Sequence, residues 1–422
     1  MQLRNAPKIH GIGIHRVIEP QETLRRAQKV MHRVGVTRLA DITGLDRIGI
    51  PIYSAVVPRS GDVVSVYNGK GVTKLEAKVG ALMEAIERHA SLAVENDQLH
   101  YGSYKDLRRR HRVLDPASLG FERDPNCTED TELPWVEGFD LLAQTPMLVP
   151  IELAGFNVIG KYGNPCYVQT TTNGLASGNT LEEAICHALC ELIERDAWAL
   201  ASLSIRHLRD IASPSRQPSA EHYPTIDLTD ARGTIRKLVR AFERAALVPV
   251  VKDITSDLGI ATVYCSVAEN VGPGLAMAHF GLGTHPDANV AMVRALTEAA
   301  QSRAVDIHGV REDISSADEV SHRFSIHSRR VSQINWRSWY HASSFTKRPL
   351  SQVRSYEHVD ILGDVKLMLE RIRAAGVQHV IVCELTRPDV AMPVVRVVAP
   401  GLESTDLRQT GWRGLVHILA TA

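Results

Sequence analysis

Gly69-Lys70-Gly71-Val72-Thr73 runs into an apolar stretch ending Glu84-Ala85-Ile86-Glu87-Arg88, and the same construction returns from Gly178 to Glu191-Leu192-Ile193-Glu194-Arg195. Gly71 and Gly178, Thr73 and Thr180, Ala77 and Ala184, Glu84 and Glu191, Glu87 and Glu194, and Arg88 and Arg195 are each 107 positions apart. Another step of 107 leads from Ala184 to Ala291, from Glu191 to Glu298 and from Glu194 to Gln301. Leu75, Val79, Leu82, Met83 and Ile86 recur at helical spacing, so the first copy predicts a helix over 74–95. The others predict helices over 180–203 and 286–307, and the polar pairs at i, i+3 share one helical face. The expected fold class is α+β, with internally duplicated strand–helix units around mixed or antiparallel sheets.

Outside the repeats, helices are expected over 20–35, 231–245 and 365–375. Strands are expected over 50–57, 135–139, 147–151, 248–252, 260–267, 275–281, 377–384 and 392–398. Residues 96–165 are irregular and rich in charge and proline and read as an insertion between repeats. Residues 308–359 are polar, rich in Ser, Arg and His, and read as a second insertion, a partner-ordered excursion. The expected organisation is one compound unit, with 1–60 as the N-terminal segment of a catalytic domain that continues over 61–422.

Lys plus Arg (48) equals Asp plus Glu (48), so the chain carries no electrostatic footprint for nucleic acid or for an anionic membrane. No apolar stretch near Met1 has signal-peptide length and no run approaches a membrane span, so a cytoplasmic protein is expected. The six cysteines form no CxxC pair, which argues against a zinc ribbon or a disulfide framework. Cys186 and Cys190 lie one helical turn apart and read as small core residues ahead of a metal or redox pair.

The chemistry follows from the glutamates. Gly-Lys-Gly before a helix offers backbone N–H groups, a partial positive charge and an ammonium to an anion, although GxxxxGK[ST] is absent and the triplet alone is weak evidence for phosphate. Each Glu-x-x-Glu pair sits in apolar surroundings, and packing two such helices together gathers four carboxylates that repel unless cations lie between them. Oxygen ligands favour Mg²⁺, which commonly joins carboxylates to substrate phosphates. A di-iron site competes, but its Glu-x-x-His pattern is missing because Arg follows each second Glu. Glu84, Glu87, Glu191 and Glu194 are therefore the candidate metal ligands for a nucleoside triphosphate. Arg88 and Arg195 either neutralise the γ-phosphate or brace the glutamates. In the third copy, Gln301 and Arg294 lower the negative charge, and Glu298 remains as a ligand or a partner for a cation.

At these residues the chain resembles the YcaO superfamily, ATP-dependent enzymes that activate backbone amides. The resemblance runs through Gly35-Val-Thr-Arg-Leu-Ala-Asp-Ile-Thr-Gly-Leu-Asp46, Asn68 to Arg88, Thr172-Asn-Gly-Leu-Ala-Ser-Gly-Asn-Thr180 to Asp196, Arg294 to Arg303 and Pro400-Gly-Leu-Glu403. It implies ATP and Mg²⁺ as cofactors, with the four glutamates positioning Mg²⁺. It also implies that Lys70, Arg195, Arg294 and Glu298 contact the triphosphate or its metals, that Asn179 and Glu183 lie near the nucleotide, and that Arg16 and Thr23 complete the pocket. No residue is expected to act as a covalent nucleophile. In the family's chemistry a nucleophile adds to an amide carbonyl, ATP phosphorylates the amide oxygen and phosphate leaves.

Azoline-forming members usually end in a proline-rich tail, whereas the last proline here is Pro400, and the segment before Gly61 matches the family's own N-terminus rather than a leader-binding domain. The resemblance at Ser65-Val-Tyr-Asn-Gly-Lys-Gly71 points to the thioamide-forming branch. It implies a peptide or protein substrate, an external sulfur donor, a TfuA-like sulfur-delivery partner and a homodimer. Two alternatives stand beside it: an azoline-forming cyclodehydratase acting on Cys, Ser or Thr, and a non-catalytic nucleotide-binding scaffold.

Overall fold

The computed structural model describes residues 1–9, 15–58, 66–92, 99–120, 124–156, 171–211, 223–272, 275–309, 331–332, 339–407 and 410–421. Helix α1 (Pro20–Val30) precedes an antiparallel sheet of β1 (Arg38–Asp41), β2 (Ile52–Val56) and β3 (Val66–Lys70), on which α2 (Lys74–Ser91) packs. Next come β4 (Leu99–Ser103), the short α3 (Tyr104–Leu107), β5 (Glu132–Asp140), β6 (Thr145–Pro150), the short α4 (Ile151–Ala154), β7 (Leu175–Ser177) and α5 (Leu181–Ile211). They are followed by β8 (Thr225–Asp227), α6 (Gly233–Arg244), β9 (Val250–Asp253), β10 (Thr262–Gly272), β11 (Leu275–Thr284), α7 (Ala288–Gly309), β12 (Val331–Ser332) and β13 (Lys347–Pro349). The chain closes with α8 (Ile361–Ala374), β14 (Ile381–Glu384), β15 (Val394–Val398) and α9 (Trp412–Thr421). The second sheet runs β4-β5-β14-β15-β7 with β6 paired to β5, and the third runs β12-β11-β10-β9-β8-β13. All strand pairings are antiparallel except β13 with β8, so the third sheet is mixed, the other two are antiparallel and the fold is α+β.

Each sheet contributes one strand–helix unit, and the three units keep a common register. β3, β7 and β11 end at Lys70, Ser177 and Thr284, and α2, α5 and α7 begin at Lys74, Leu181 and Ala288, each 107 residues after the one before. The helix residues that meet the strands are small in every copy: Ala77, Ala184 and Ala291, then Ala81, Ala188 and Ala295, all fully buried. Glycine on the strand lets the backbones touch. A Cβ at Gly69 would lie 2.1 Å from Ala77 O and Ala81 N, and one at Gly283 would lie 2.0 Å from Ala291 O. Any larger residue forces strand and helix apart and moves the polar helix face with them.

Core clusters hold the units in place. α5 and α8 share Ile185, Leu189, Ile193, Val365 and Met368 against the second sheet, and each fully buried aliphatic side chain contributes roughly 1.5–3 kcal/mol. α6 and α7 bury Phe242, Met292 and Leu296 against Val251 and Val263 of the third sheet. Trp198 of α5 stacks on Tyr264 of its opposite face at 5.3 Å.

Several local expectations are corrected by tertiary packing. Residues 69–70 end a strand, because Tyr53 and Gly69, and Ile52 and Lys70, pair across β2 and β3. The backbone N–H groups expected to await an anion are taken: Gly71 N donates to Pro51 O at 3.2 Å. Val72 N and Thr73 N donate to Glu76 Oε2, and Glu76 N to Thr73 Oγ1, in a capping box. Residues 99–156 supply three strands of the second sheet, with Trp135 fully buried. The stretch from 339 onward buries Trp339, Ser344 and Val353 and adds β13 to the third sheet, so it is core rather than a polar excursion. Ser65 and residues 310–330 and 333–338 lie outside the described residues. α9 follows a segment with no expected element.

Cys186, Cys190, Cys265 and Cys383 are free and buried, in keeping with a core reading of the first two. Cys127 is disulfide-bonded, a departure from the expectation drawn from cysteine spacing. Among the described residues no helix is long and apolar enough to cross a membrane.

Candidate active site

The three units converge on one cavity of about 420 Å³. Glu84 and Glu87 reach it from α2, and Glu191, Glu194 and Arg195 from α5. Arg294 and Glu298 enter from α7 and Lys70 from the end of β3. Thr23 of α1, with Arg16, Asn179 and Glu183, lines the remaining wall. Of the residues singled out from the sequence as metal or nucleotide ligands, all but Arg88 thus line the same space.

The electrostatics are those of a crowded anionic cluster. Burial first, then Glu84 and Glu191, pushes the Glu87 carboxyl well above the ordinary range, with Ser177 hydrogen bonds opposing. Burial also raises Glu191 against the pull of Arg195 and Arg396. Glu194 is pushed up to about 7 by burial, with Glu298 and Glu191 adding to it and Arg195 opposing. Arg195 Nη2 lies 3.7 Å from Glu191 Oε1 and 3.5 Å from Glu194 Oε1. These are too long for strong pairing, so one guanidinium is shared between two carboxylates. Four clustered carboxylates, with proton affinity raised at Glu87, Glu191 and Glu194, are the donor set of a hard divalent cation, and Mg²⁺ fits it.

The opposite wall is built by pairing. Lys70 Nζ is 2.5 Å from Glu298 Oε2, while Glu298 Oε1 accepts from Leu282 N at 3.2 Å. Burial favours protonation of Glu298, but Lys70 and Arg195 outweigh it and hold the carboxyl below its usual value. Arg294 Nη1 donates to Thr284 O at 2.9 Å, and Gln301 Nε2 donates to Asn68 O at 2.8 Å. Gln301 therefore ties the third unit to the first strand without adding charge.

Two expected residues have structural partners inside the wall. Glu183 repeats the capping role of Glu76: its N–H donates to Thr180 Oγ1 and its carboxylate accepts from Asn179 N and Val17 N. Thr23 Oγ1 donates to Asn179 Oδ1 at 3.0 Å, joining α1 to the start of α5. Arg88 does not line the cavity, and its guanidinium lies over the Phe156 ring at 4.4 Å.

Sequence reasoning missed Arg396. It is 6% exposed in β15, its Nε and Nη1 lack hydrogen-bond partners, and burial pulls its pKa to about 10 while Glu191 and Glu87 oppose. A lone Arg inside Val394-Val395-Arg396-Val397-Val398 was the available signal. His15, His187 and His285 also line the cavity. His15, His285 and Asp364 bring potential ligand atoms within 4.8 Å of one another. Lys8 Nζ already sits 2.5 Å from Asp364 Oδ2, and His285 Nδ1 accepts from Asp287 N, so the group is a buried charge network.

Comparison with known proteins agrees with this architecture. A family model described as YcaO cyclodehydratase, ATP- and Mg²⁺-binding, matches residues 68–403. An uncharacterized protein of Methanothermobacter thermautotrophicus is 36% identical over 404 residues, 94% of this chain and 97% of its own. A Rhizobium leguminosarum bv. trifolii protein described as an uncharacterized protein in the tfuA 3′ region is 30% identical, covering 92% and 88% of the two chains. Among solved structures, YcaO from Methanopyrus kandleri bound with AMPPCP and Mg²⁺ superposes with a TM-score of 0.70 at 23% identity, covering 96% of each chain. A heterocyclase in complex with substrate and cofactor superposes with a TM-score of 0.77 at 22% identity over 96% of this chain, which spans 54% of that longer one. The chain belongs to the YcaO family, whose members bind ATP and Mg²⁺.

Proposed function

We propose that this chain is an ATP- and Mg²⁺-dependent enzyme that activates a peptide or protein backbone amide by O-phosphorylation and installs a thioamide. The sulfur comes from an external donor through a TfuA-like partner, and the enzyme works as a homodimer. The observation that carries the reading is the gathering of four glutamates from two repeat helices opposite Lys70, Arg195 and Arg294 in one cavity. The Methanopyrus structure with AMPPCP and Mg²⁺ supports the nucleotide part, and the tfuA-region relative supports the choice of branch.

In this reading Glu84, Glu87, Glu191 and Glu194 hold Mg²⁺. The ion, when bound, neutralises phosphate charge and polarises phosphoryl oxygens. Lys70, Arg195 and Arg294 take up the remaining triphosphate charge, and Glu298 keeps Lys70 aimed into the cavity. Asn179 and Thr23 border the nucleotide, Glu183 acts by fixing Asn179, and Arg16 closes the wall. Arg396 sits behind the carboxylates and limits their mutual repulsion. The protein's contribution is orientation and charge placement rather than covalent catalysis. The amide oxygen leaves in inorganic phosphate, sulfur takes its position on carbon, and ATP becomes ADP.

A second reading keeps the same site and ends in an azoline. It is favoured by the cyclodehydratase description of the family and by the heterocyclase likeness. Intact-mass analysis of a neighbouring-gene peptide, co-expressed with this chain and a TfuA-like protein, separates the two. A gain equal to sulfur replacing oxygen is the expected result. Loss of one water overturns the thioamide assignment and leaves the ATP site standing, and an unmodified peptide with no ATP turnover overturns the enzyme reading.

A further inference from the structure

A hydrosulfide that adds to an amide carbon must lose its proton before a thioamide forms, and the carboxylates lining the cavity are already engaged. Glu84, Glu87, Glu191 and Glu194 form the metal cluster, and Glu298 accepts from Lys70 Nζ and Leu282 N. Glu76 and Glu183 accept from backbone N–H groups at the starts of α2 and α5. Arg195 feels one further acid. Burial works against its charge, but Glu194, Glu191, Glu298 and Asp406, in that order, raise the guanidinium above its ordinary pKa. Glu194, Glu191 and Glu298 line the cavity, whereas Asp406 stands beyond its lining.

Asp406 has a built seat. Asn173 Nδ2 donates to Asp406 Oδ2 at 2.8 Å and to Ser404 Oγ at 3.1 Å, and Ser404 Oγ donates to the same carboxylate oxygen at 3.3 Å. Asp406 N donates to Ser404 Oγ at 3.2 Å. Among the described residues no hydrogen bond reaches Oδ1, so one oxygen of this half-buried carboxylate is anchored and the other is open. The seat belongs to the edge of the cavity. Gly174, next to Asn173, donates its N–H to Glu191 Oε2 at 3.2 Å, and Leu175 after it lines the cavity. Val397 N donates to Gly174 O at 2.7 Å and β7 pairs with β15, so the loop that carries Asn173 is fixed on the second sheet.

We infer that Asp406 is the general base of the reaction, its open oxygen taking the proton of the incoming nucleophile at the rim of the cavity; this rests on the amide activation stated in the proposed function. With hydrosulfide as nucleophile, sulfur bonds to the amide carbon and the carbonyl electron pair moves to oxygen. That oxygen takes the γ-phosphoryl group, and the bond to ADP breaks. Asp406 removes the S–H proton, the C=S bond forms as the C–O bond breaks, and the proton leaves with inorganic phosphate. Sulfur enters at the oxidation level of sulfide, so no oxidant or reductant is consumed. The assignment gives the open carboxylate beside Arg195 a task that the metal cluster, bound to its cation, is unable to perform.

The test compares the full-length wild type with Asp406→Asn and Asp406→Ala, using the neighbouring-gene peptide, the TfuA-like protein, sodium sulfide, ATP and Mg²⁺. Product mass, conversion rate and affinity for a non-hydrolysable ATP analogue with Mg²⁺ are recorded for each. Expected are a loss in conversion of at least ~100-fold in both variants and wild-type analogue affinity in both. Formate, a small carboxylate that fits the vacated space, restores conversion in Asp406→Ala, which a purely structural role does not allow. If Asp406→Ala is poorly folded, Asp406→Asn, which keeps the shape of the side chain, carries the test through its conversion and analogue affinity. Wild-type conversion in Asp406→Asn, a fall in analogue affinity as large as the fall in conversion, or a folded Asp406→Ala that ignores formate overturns the assignment. Loss of one water from the wild-type peptide instead overturns the thioamide reading; the base then serves a side-chain nucleophile of the peptide, and the same comparison of variants decides it. A wild-type chain that converts no amide overturns both.

Discussion

Lys70 Nζ and Glu298 Oε2 lie 2.5 Å apart, which joins the strand end of the first repeat to the helix of the third across the mouth of the cavity. In the proposed reading the pair holds an ammonium ready for a phosphate while keeping it from collapsing onto Glu84, Glu87, Glu191 or Glu194. Replacing Lys70 by Met leaves Glu298 facing an anionic ligand without its cation. Affinity for Mg²⁺ with a non-hydrolysable ATP analogue is expected to fall by about 30-fold, roughly 2 kcal/mol. Calorimetric titration measures it, and wild-type affinity in Lys70→Met removes Lys70 from the nucleotide site.

Glu84→Gln and Glu191→Gln each delete one charge from a cluster that repels itself. Turnover of ATP is expected to drop by at least the ~100-fold that loss of a metal's outer-shell partners already causes. The metal-free protein should melt no lower than wild type, because the substitution relieves repulsion. A folded variant with full turnover contradicts the assignment of these carboxylates.

The proton affinity of Glu194 sets a pH dependence. Its carboxyl, ordinarily at 4.5, is pushed up to about 7 in the folded protein, chiefly by burial. Between these values the folded state holds a proton that the unfolded chain has released, so this group's contribution to stability falls as pH rises through the window. In EDTA, the stability advantage of Glu194→Gln over wild type should therefore grow from about pH 4.5 to about pH 7. Mg²⁺ competes with the same proton and should raise the wild-type melting temperature more at pH 8 than at pH 6. Denaturant titrations across that range check the first statement and thermal melts the second; a flat difference between variant and wild type contradicts the first, and an equal Mg²⁺ effect at both pH values contradicts the second.

Arg413 and Asp196 are almost fully buried, at 3 and 0% side-chain exposure. Arg413→Met strands the Asp196 carboxylate and is expected to cost about 3–5 kcal/mol, while Arg413→Met with Asp196→Asn costs less than the two single changes summed. Urea unfolding of the three variants decides, and additive losses argue against a direct pair.

The candidate site is more legible in the sequence than the fold around it. Residue identity at a spacing of 107 aligns Glu84 with Glu191 and Glu298, and side chains on one helical face of repeated units must meet wherever the units meet. What the spacing hides is the set of partners made across sheets. Arg396 reads as one polar letter in a strand until β15 places it behind Glu191. Asp196 and Arg413 are 217 positions apart, so no local pattern links them. Gly69 reads as a turn residue, because glycine serves turns and close backbone contact equally well and only the approach of Ala77 and Ala81 decides between them. Trp339 hides in a polar stretch because the strands it covers lie far away in sequence.

The central claim is that the cavity transfers a phosphoryl group from ATP to an amide oxygen. A substrate peptide whose amide carbonyls carry heavy oxygen, turned over with this chain, ATP, Mg²⁺, a sulfide donor and the TfuA-like partner, tests it through the isotope content of the released phosphate, read by phosphorus NMR. One heavy oxygen in the phosphate for each amide converted is the predicted result. Unlabelled phosphate alongside a converted amide contradicts O-phosphorylation at this site.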